Sequence, residues 1–102
     1  MKRFTIYCGL NDKDRKQQLI STDEAIEIVT NKVVNAFGFG TINKNTGVYT
    51  HEDGTIVNEE TIGVILLGAE LVSVVAFVNN LKVTFNQELI AVTVEDVDIQ
   101  LW

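Results

Sequence analysis

The chain has one histidine, one cysteine and a few amides and charges whose spacing could do chemistry. His51 is followed directly by Glu52 and Asp53, a base with carboxylates beside it, as general-base catalysis needs. Neighbours in a hairpin turn alternate sides and face water, so a solvated tip is the simpler reading. Cys8 offers a nucleophilic thiol, but it falls in phase with Phe4 and Ile6, where a free cysteine is a small core residue. Asn86, Gln87 and Glu88 stand where a helix should give way to a last strand, near the turn after the first strand. Asn11, Gln87 and Glu88 then converge, with Glu88 a second candidate base. The simpler role for such side chains is to bond loop amides.

Lys13, Arg15 and Lys16 precede a helix start, an arrangement that suits a phosphate or a nucleotide, although Asp12 and Asp14 offset part of the charge. Solvated loop charge explains them as well. Glu59-Glu60, Glu95-Asp96 and Asp98 offer oxygen ligands for a divalent cation. No loop has EF-hand spacing, and charges on edge strands guard against stray pairing. Walker, dinucleotide-binding and G-x-S-x-G patterns do not occur. No cofactor and no metal is expected.

These residues sit in a chain of 102, with 46% hydrophobic residues, no proline and a net charge of −6. That length supports one domain of two packed layers. Residues 1–50 carry seven basic and five acidic side chains, a balance of +2, whereas residues 51–102 carry one basic and nine acidic, a balance of −8. Only Lys82 remains as a cation in the second half, so a nucleic-acid groove is excluded. A single cysteine forms no internal disulfide, and with a single histidine there is no zinc-site cluster. No apolar run approaches the ~18 residues that cross a bilayer, and Met1-Lys2-Arg3 opens no signal peptide. A cytoplasmic setting without membrane partners is expected.

The elements follow from periodicity. Residues 3–8 alternate, with Phe4, Ile6 and Cys8 on one face and Arg3, Thr5 and Tyr7 on the other, as in a half-buried strand ending at Gly9. Residues 10–20 read as an exposed loop. Ser21 and Glu24 have capping-box spacing, and Ile26, Val29, Val33 and Phe37 recur at helical intervals until Gly38. Thr41–Ile42 and Val48–Thr50 are β-prone pieces divided by the turn-like run 43–47, so the second strand should be bulged or broken. Asp53-Gly54 makes the tightest turn and joins it to a third strand, Thr55–Val57 and then Thr61–Leu67. Over residues 70–85, Leu71, Val74, Val75, Val78, Leu81 and Phe85 form one helical stripe. The last strand spans Leu89–Val94. Beyond it the apolar parity changes, so an extra residue or turn belongs near Glu95-Asp96, and Val97–Trp102 forms a possible extra C-terminal strand. The order is βαββαβ, an α+β ferredoxin-like sandwich with an antiparallel sheet and two helices on one face.

The segments YCGLND (7–12), TGVYTHEDGTIVNEET (46–61) and FNQE (85–88) resemble an uncharacterised family of small bacterial and phage proteins, a domain of unknown function. Its members have a first strand ending in a glycine turn, a middle hairpin with an aromatic before the D-G or S-G turn, and F-x-Q-E closing the second helix. The resemblance spans most of the chain and implies the same fold. Related proteins carry a lipoprotein-like leader that this sequence lacks, and that departure points to a cytosolic, phage-borne branch.

The expected activity is non-enzymatic binding by a homo-oligomer, directed at a host protein or at a small nucleotide-like ligand that it sequesters. Tyr7, Asn11, Arg15, Tyr49 and Gln87 are the candidate ligand-binding residues. Val97, Ile99, Leu101 and Trp102 are the candidate oligomer interface. A small ferredoxin-like enzyme with His51 or Glu88 as base is one alternative, and a structural or assembly module is another.

Overall fold

A computed structural model describes residues 1–102. Its elements run β1 (Lys2–Gly9), α1 (Thr22–Phe37), β2 (Thr41–Thr50), β3 (Ile56–Leu67), α2 (Leu71–Thr84) and β4 (Ala91–Asp96). The sheet order is β2-β3-β1-β4 with every neighbouring pair antiparallel, and both helices pack on one side, the ferredoxin-like sandwich that the periodicity implies. No helix is long and apolar enough to cross a membrane.

Alternation along β1 divides the molecule into two sides. Phe4, Ile6 and Cys8 are buried against the helices together with Ile62, Val64 and Leu66 of β3. Tyr7 points to the uncovered side and is half-exposed. Helix α1 begins and ends where its capping residues dictate. The Ser21 hydroxyl accepts the Glu24 N–H at 3.1 Å, while Gly38, at φ +85°, donates its N–H to the Val34 carbonyl at 3.0 Å. Its buried face is Ala25, Val29 and Val33.

Helix α2 buries most of the expected stripe, with Val78 packed against the core, but turned so that Phe77 replaces Leu71 and Val75. Val74, Phe77, Leu81 and Phe85 are buried, whereas Leu71 and Val75 are 64% and 50% exposed. Apolar residues surround this helix, so spacing alone does not single out one face. Phe37 settles the choice: its ring meets Phe77 edge to face, with centroids 5.3 Å apart.

Strand β2 is also continuous, unlike the broken strand its turn-forming residues suggested. Every residue from Thr41 to Thr50 has a partner on β3, because the ladder with that long strand overrides the local preference of Asn43–Gly47. Strand β3 is likewise unbroken through Asn58–Glu60. Strand β4 starts and finishes two residues later than expected, and Glu95 and Asp96 stay in register opposite Arg3 and Lys2. No extra residue interrupts it there. The Val97 N–H donates to the Met1 carbonyl at 2.9 Å, after which residues 98–102 form no strand and leave Leu101 and Trp102 fully exposed. Residues 10–20 are more ordered than an exposed loop: Leu10 and Asp12 are buried, and Asn11 bridges to Gln18.

Deleting the Phe77 ring removes a core side chain and its partner contact, so Phe77→Ala is expected to cost ~3–5 kcal/mol in urea denaturation. Val75→Ala, on the solvent side of the same helix, should stay within ~0.5 kcal/mol of the parent. Equal losses would contradict this orientation of α2.

Candidate functional site

Strand β1 pairs with β3 only as far as Gly9 opposite Thr61, so the remainder of the β2–β3 hairpin projects as a two-stranded arm. The molecule is accordingly 47 Å long and about 25 Å across. Asp53-Gly54 closes the arm: Gly54 adopts φ +87°, and the Thr55 N–H donates to Asp53 Oδ1 at 2.9 Å. That bond, with help from the charge of His51, holds the Asp53 carboxyl below its usual range. His51 stands at this tip with its ring edge-on to Tyr49. Its environment is that of an exposed turn.

Where the arm leaves the body, Gly47 of β2 lies opposite Glu59 of β3. The Glu59 side chain reaches over Gly9 at the end of β1, and its Oε2 accepts the Asn11 N–H at 2.8 Å. A Cβ on residue 9 would collide with that carboxyl group. Farther along the same face, the amides of Asn43 and Asn45 lie over Gly63, again in space that a side chain would take. The third glycine, Gly47, is covered in the same way, since Thr61 Oγ1 stands 3.0 Å from where its Cβ would be; each glycine makes room for a side chain of a neighbouring residue.

A hollow of about 790 Å³ lies on this open side of the sheet, lined among others by Tyr7, Gly9, Tyr49, Glu59, Thr61 and Gln87. That is within the range of small-molecule sites. A second hollow of about 390 Å³ adjoins it, sharing Tyr49, Glu59, Gln87 and Leu89 and adding Asn11, Lys13, Lys16 and Glu88. By contrast, the crevice between Leu10, Leu19 and Phe85 holds only about 140 Å³. It is too small for a nucleoside.

The loop after β1 is held to the end of α2 by Asp12. Its Oδ1 accepts the N–H groups of Asp14 and Arg15, both at 2.9 Å, and its Oδ2 accepts Asn86 Nδ2 at 3.0 Å. The Arg15 amide first, and then Asn86, keep the Asp12 carboxyl below its usual range. Asn86 takes φ +48° to make these contacts and also accepts the Lys13 N–H through its carbonyl. Gln87 donates its side-chain amide to the carbonyls of Asn11, at 2.6 Å, and Phe85. Thus Asn86 and Gln87 bond loop backbone and, by doing so, shape the wall of the hollow.

Of the residues singled out in the sequence, Tyr7, Tyr49 and Gln87 line the larger hollow, while Asn11, Gln87 and Glu88 meet at the smaller one. Arg15 lines neither; Lys13 and Lys16 stand there instead. Glu59 was read only as a cation ligand or an edge charge. Its place was recoverable from the Asp53-Gly54 turn, because residues equidistant from position 53 pair across the hairpin and set Glu59 opposite Gly47. Cys8 belongs to the core, where burial first and the Glu59 charge second push its thiol up to about 12. No three His, Cys, Asp or Glu side chains gather as metal ligands would.

The arrangement can bind a flat, polar or cationic molecule. Two tyrosines and one anchored carboxylate line the larger hollow, a combination that attracts a cation through both ring quadrupole and charge.

No family model and no curated protein matches the sequence. Solved structures match it in shape. A phage SAM lyase in complex with S-methyl-5'-thioadenosine superposes with a TM-score of 0.64 and 20% identity, over 93% of this chain and 80% of that one. A phage SAM lyase in its apo state reaches 0.69, also at 20% identity, over 92% and 78%. The periplasmic divalent cation tolerance protein CutA from Archaeoglobus fulgidus gives 0.63 at 14% identity, over 99% and 88%. What they share with this chain is the fold.

Because the Cys8 thiol ionises normally near 9.0 but in the folded protein only at about 12, the unfolded chain loses this proton first as pH rises. Stability from this group is therefore complete below pH 9 and falls between pH 9 and about 12. A thiol reagent at pH 8 should label the denatured chain and leave the native one unmodified. Rapid native labelling would contradict the buried placement.

Proposed function

We propose that the protein binds a sulfonium nucleoside of the S-adenosylmethionine class in the hollow on the open sheet face, and that it does so as a homo-oligomer. The observation that carries this reading is the Glu59 carboxylate, fixed over Gly9 by the Asn11 amide in a hollow that Tyr7 and Tyr49 line. A sulfonium centre is a soft, weakly hydrated cation, suited to aromatic faces beside a carboxylate. An adenine ring is flat and stacks on an aromatic side chain such as Tyr7 or Tyr49. The likeness in fold to a phage SAM lyase holding S-methyl-5'-thioadenosine supports the choice of ligand. Removing such a ligand from its surroundings would serve a phage-borne protein acting against its host.

A second reading is that the ligand is also cleaved. S-methyl-5'-thioadenosine is what remains of S-adenosylmethionine when the bond between sulfur and the aminobutyryl arm breaks with the electron pair going to sulfur, while a base takes a proton from the arm's β-carbon and that C–H pair forms a C=C bond in the departing arm. A carboxylate at the wall and the fold shared with a lyase favour it. Capture of a host protein in place of a nucleoside is the outcome that would move the function elsewhere.

The oligomer rests on what the single chain leaves uncovered. Val48 and Ile56 on the projecting arm are 65% and 68% exposed, Val92 and Val94 of the edge strand β4 are partly exposed, and the tail ends in bare Leu101 and Trp102. A two-stranded ribbon is marginal by itself and gains support from a neighbouring copy.

Isothermal titration should show binding of S-adenosylmethionine to the parent protein, and Glu59→Gln should weaken it at least ~10-fold, as loss of one charge-assisted contact implies. Chromatography of the same mixture for released S-methyl-5'-thioadenosine separates binding from cleavage. Absence of binding to either nucleoside would overturn the proposal. In native mass spectrometry the parent should appear as an oligomer and Ile99→Lys as a smaller species. An unchanged mass would remove the tail from the interface.

A further inference from the structure

The two hollows over the open sheet face differ in charge. The larger has Glu59 as its one charged side chain. Glu59 also belongs to the smaller hollow, whose far wall brings Lys13, Lys16 and Glu88. Asp12 reaches the smaller hollow as well, but both its oxygens are engaged by the Asp14, Arg15 and Asn86 donors. A ligand lying along both hollows therefore meets aromatic residues first, a carboxylate at the junction, and then cations beside a second carboxylate.

The backbone of both lysines is fixed by hydrogen bonds, and their side chains are exposed. The Lys13 N–H donates to the Asn86 carbonyl at 3.0 Å and the Lys16 N–H to the Asp12 carbonyl at 2.8 Å. Lys16 takes φ +60° and Asn86 takes φ +48°, the only residues other than glycine with positive φ in the chain. Both border this loop. Left-handed backbone at residues other than glycine is uncommon, and it concentrates where a fold holds side chains for a ligand.

We propose that the smaller hollow is the subsite for an α-amino-carboxylate arm, with Lys13 and Lys16 meeting the carboxylate and Glu88 the ammonium group, while Glu59 at the junction faces the sulfonium. This assignment rests on the reading of the larger hollow as a nucleoside site, and it makes the protein selective. A nucleoside with the complete amino-acid arm engages both hollows. One that has lost the arm, such as S-methyl-5'-thioadenosine, engages only the first, and one that lacks just the carboxylate forgoes the lysines.

The test compares S-adenosylmethionine, decarboxylated S-adenosylmethionine and S-methyl-5'-thioadenosine on the full-length parent and on a Lys13→Ala/Lys16→Ala variant. Both lysine side chains are exposed, and the bonds that hold the loop use their backbone, so the variant should fold; its thermal unfolding is measured alongside. The variant is expected to lose at least ~10-fold in affinity for S-adenosylmethionine while its affinities for the other two stay within about twofold, as expected when charge-assisted contacts to one group are removed. If the protein turns S-adenosylmethionine over, the same loss should appear in KM with kcat little changed. Equal loss for all three nucleosides, or no loss for S-adenosylmethionine, would overturn the subsite. If the parent binds none of the three, the nucleoside reading itself fails and the subsite with it. If the parent binds the thioadenosine and the variant retains full affinity for every nucleoside, only the subsite fails.

Discussion

The carboxylate of Glu59 lies over a backbone position that must carry no side chain, and the open face of this molecule is organised around that contact. Gly9 ends β1, Asn11 turns its N–H to Glu59 Oε2, and the chain then enters the loop that Asp12 ties to the end of α2. A single acidic group thus links the body of the sheet, the projecting arm and the loop. Its negative charge also bears on the other side of the sheet, where it joins burial in keeping the Cys8 thiol protonated. Core and hollow are opposite faces of one strand.

Much of the fold was legible because its signals were local and agreed with one another. Ser21 and Gly38 bracket α1 by capping chemistry, and the alternation of Phe4, Ile6 and Cys8 is visible within β1 alone. The errors came where a partner distant in sequence overrode the local preference. The turn-like residues 43–47 became strand because β3 offers them a ladder, and the face of α2 was set by Phe37 on another helix. At the candidate site the aromatic and amide residues are legible by type, whereas the contact of Glu59 with Gly9 is not, because it exists only across the strand registers.

Asp12 and Asn86 show how a loop dense in charge becomes ordered. All eight residues from 11 to 18 carry charged or amide side chains, a composition that ordinarily stays solvated. Here one carboxylate collects donors from two amides of its own loop and from an asparagine 74 residues on. The cost of bending Asn86 into the left-handed region is offset by bonds on both its side chain and its carbonyl.

The arm also separates two kinds of selection. None of the residues in the buried core cluster belongs to its projecting part, where Val48, Tyr49 and Ile56 face solvent. Substitution there changes the exposed surface while leaving the packing that folds the chain untouched. The fold itself tolerates wide divergence, since a lyase and a divalent cation tolerance protein share it at 14–20% identity to this chain.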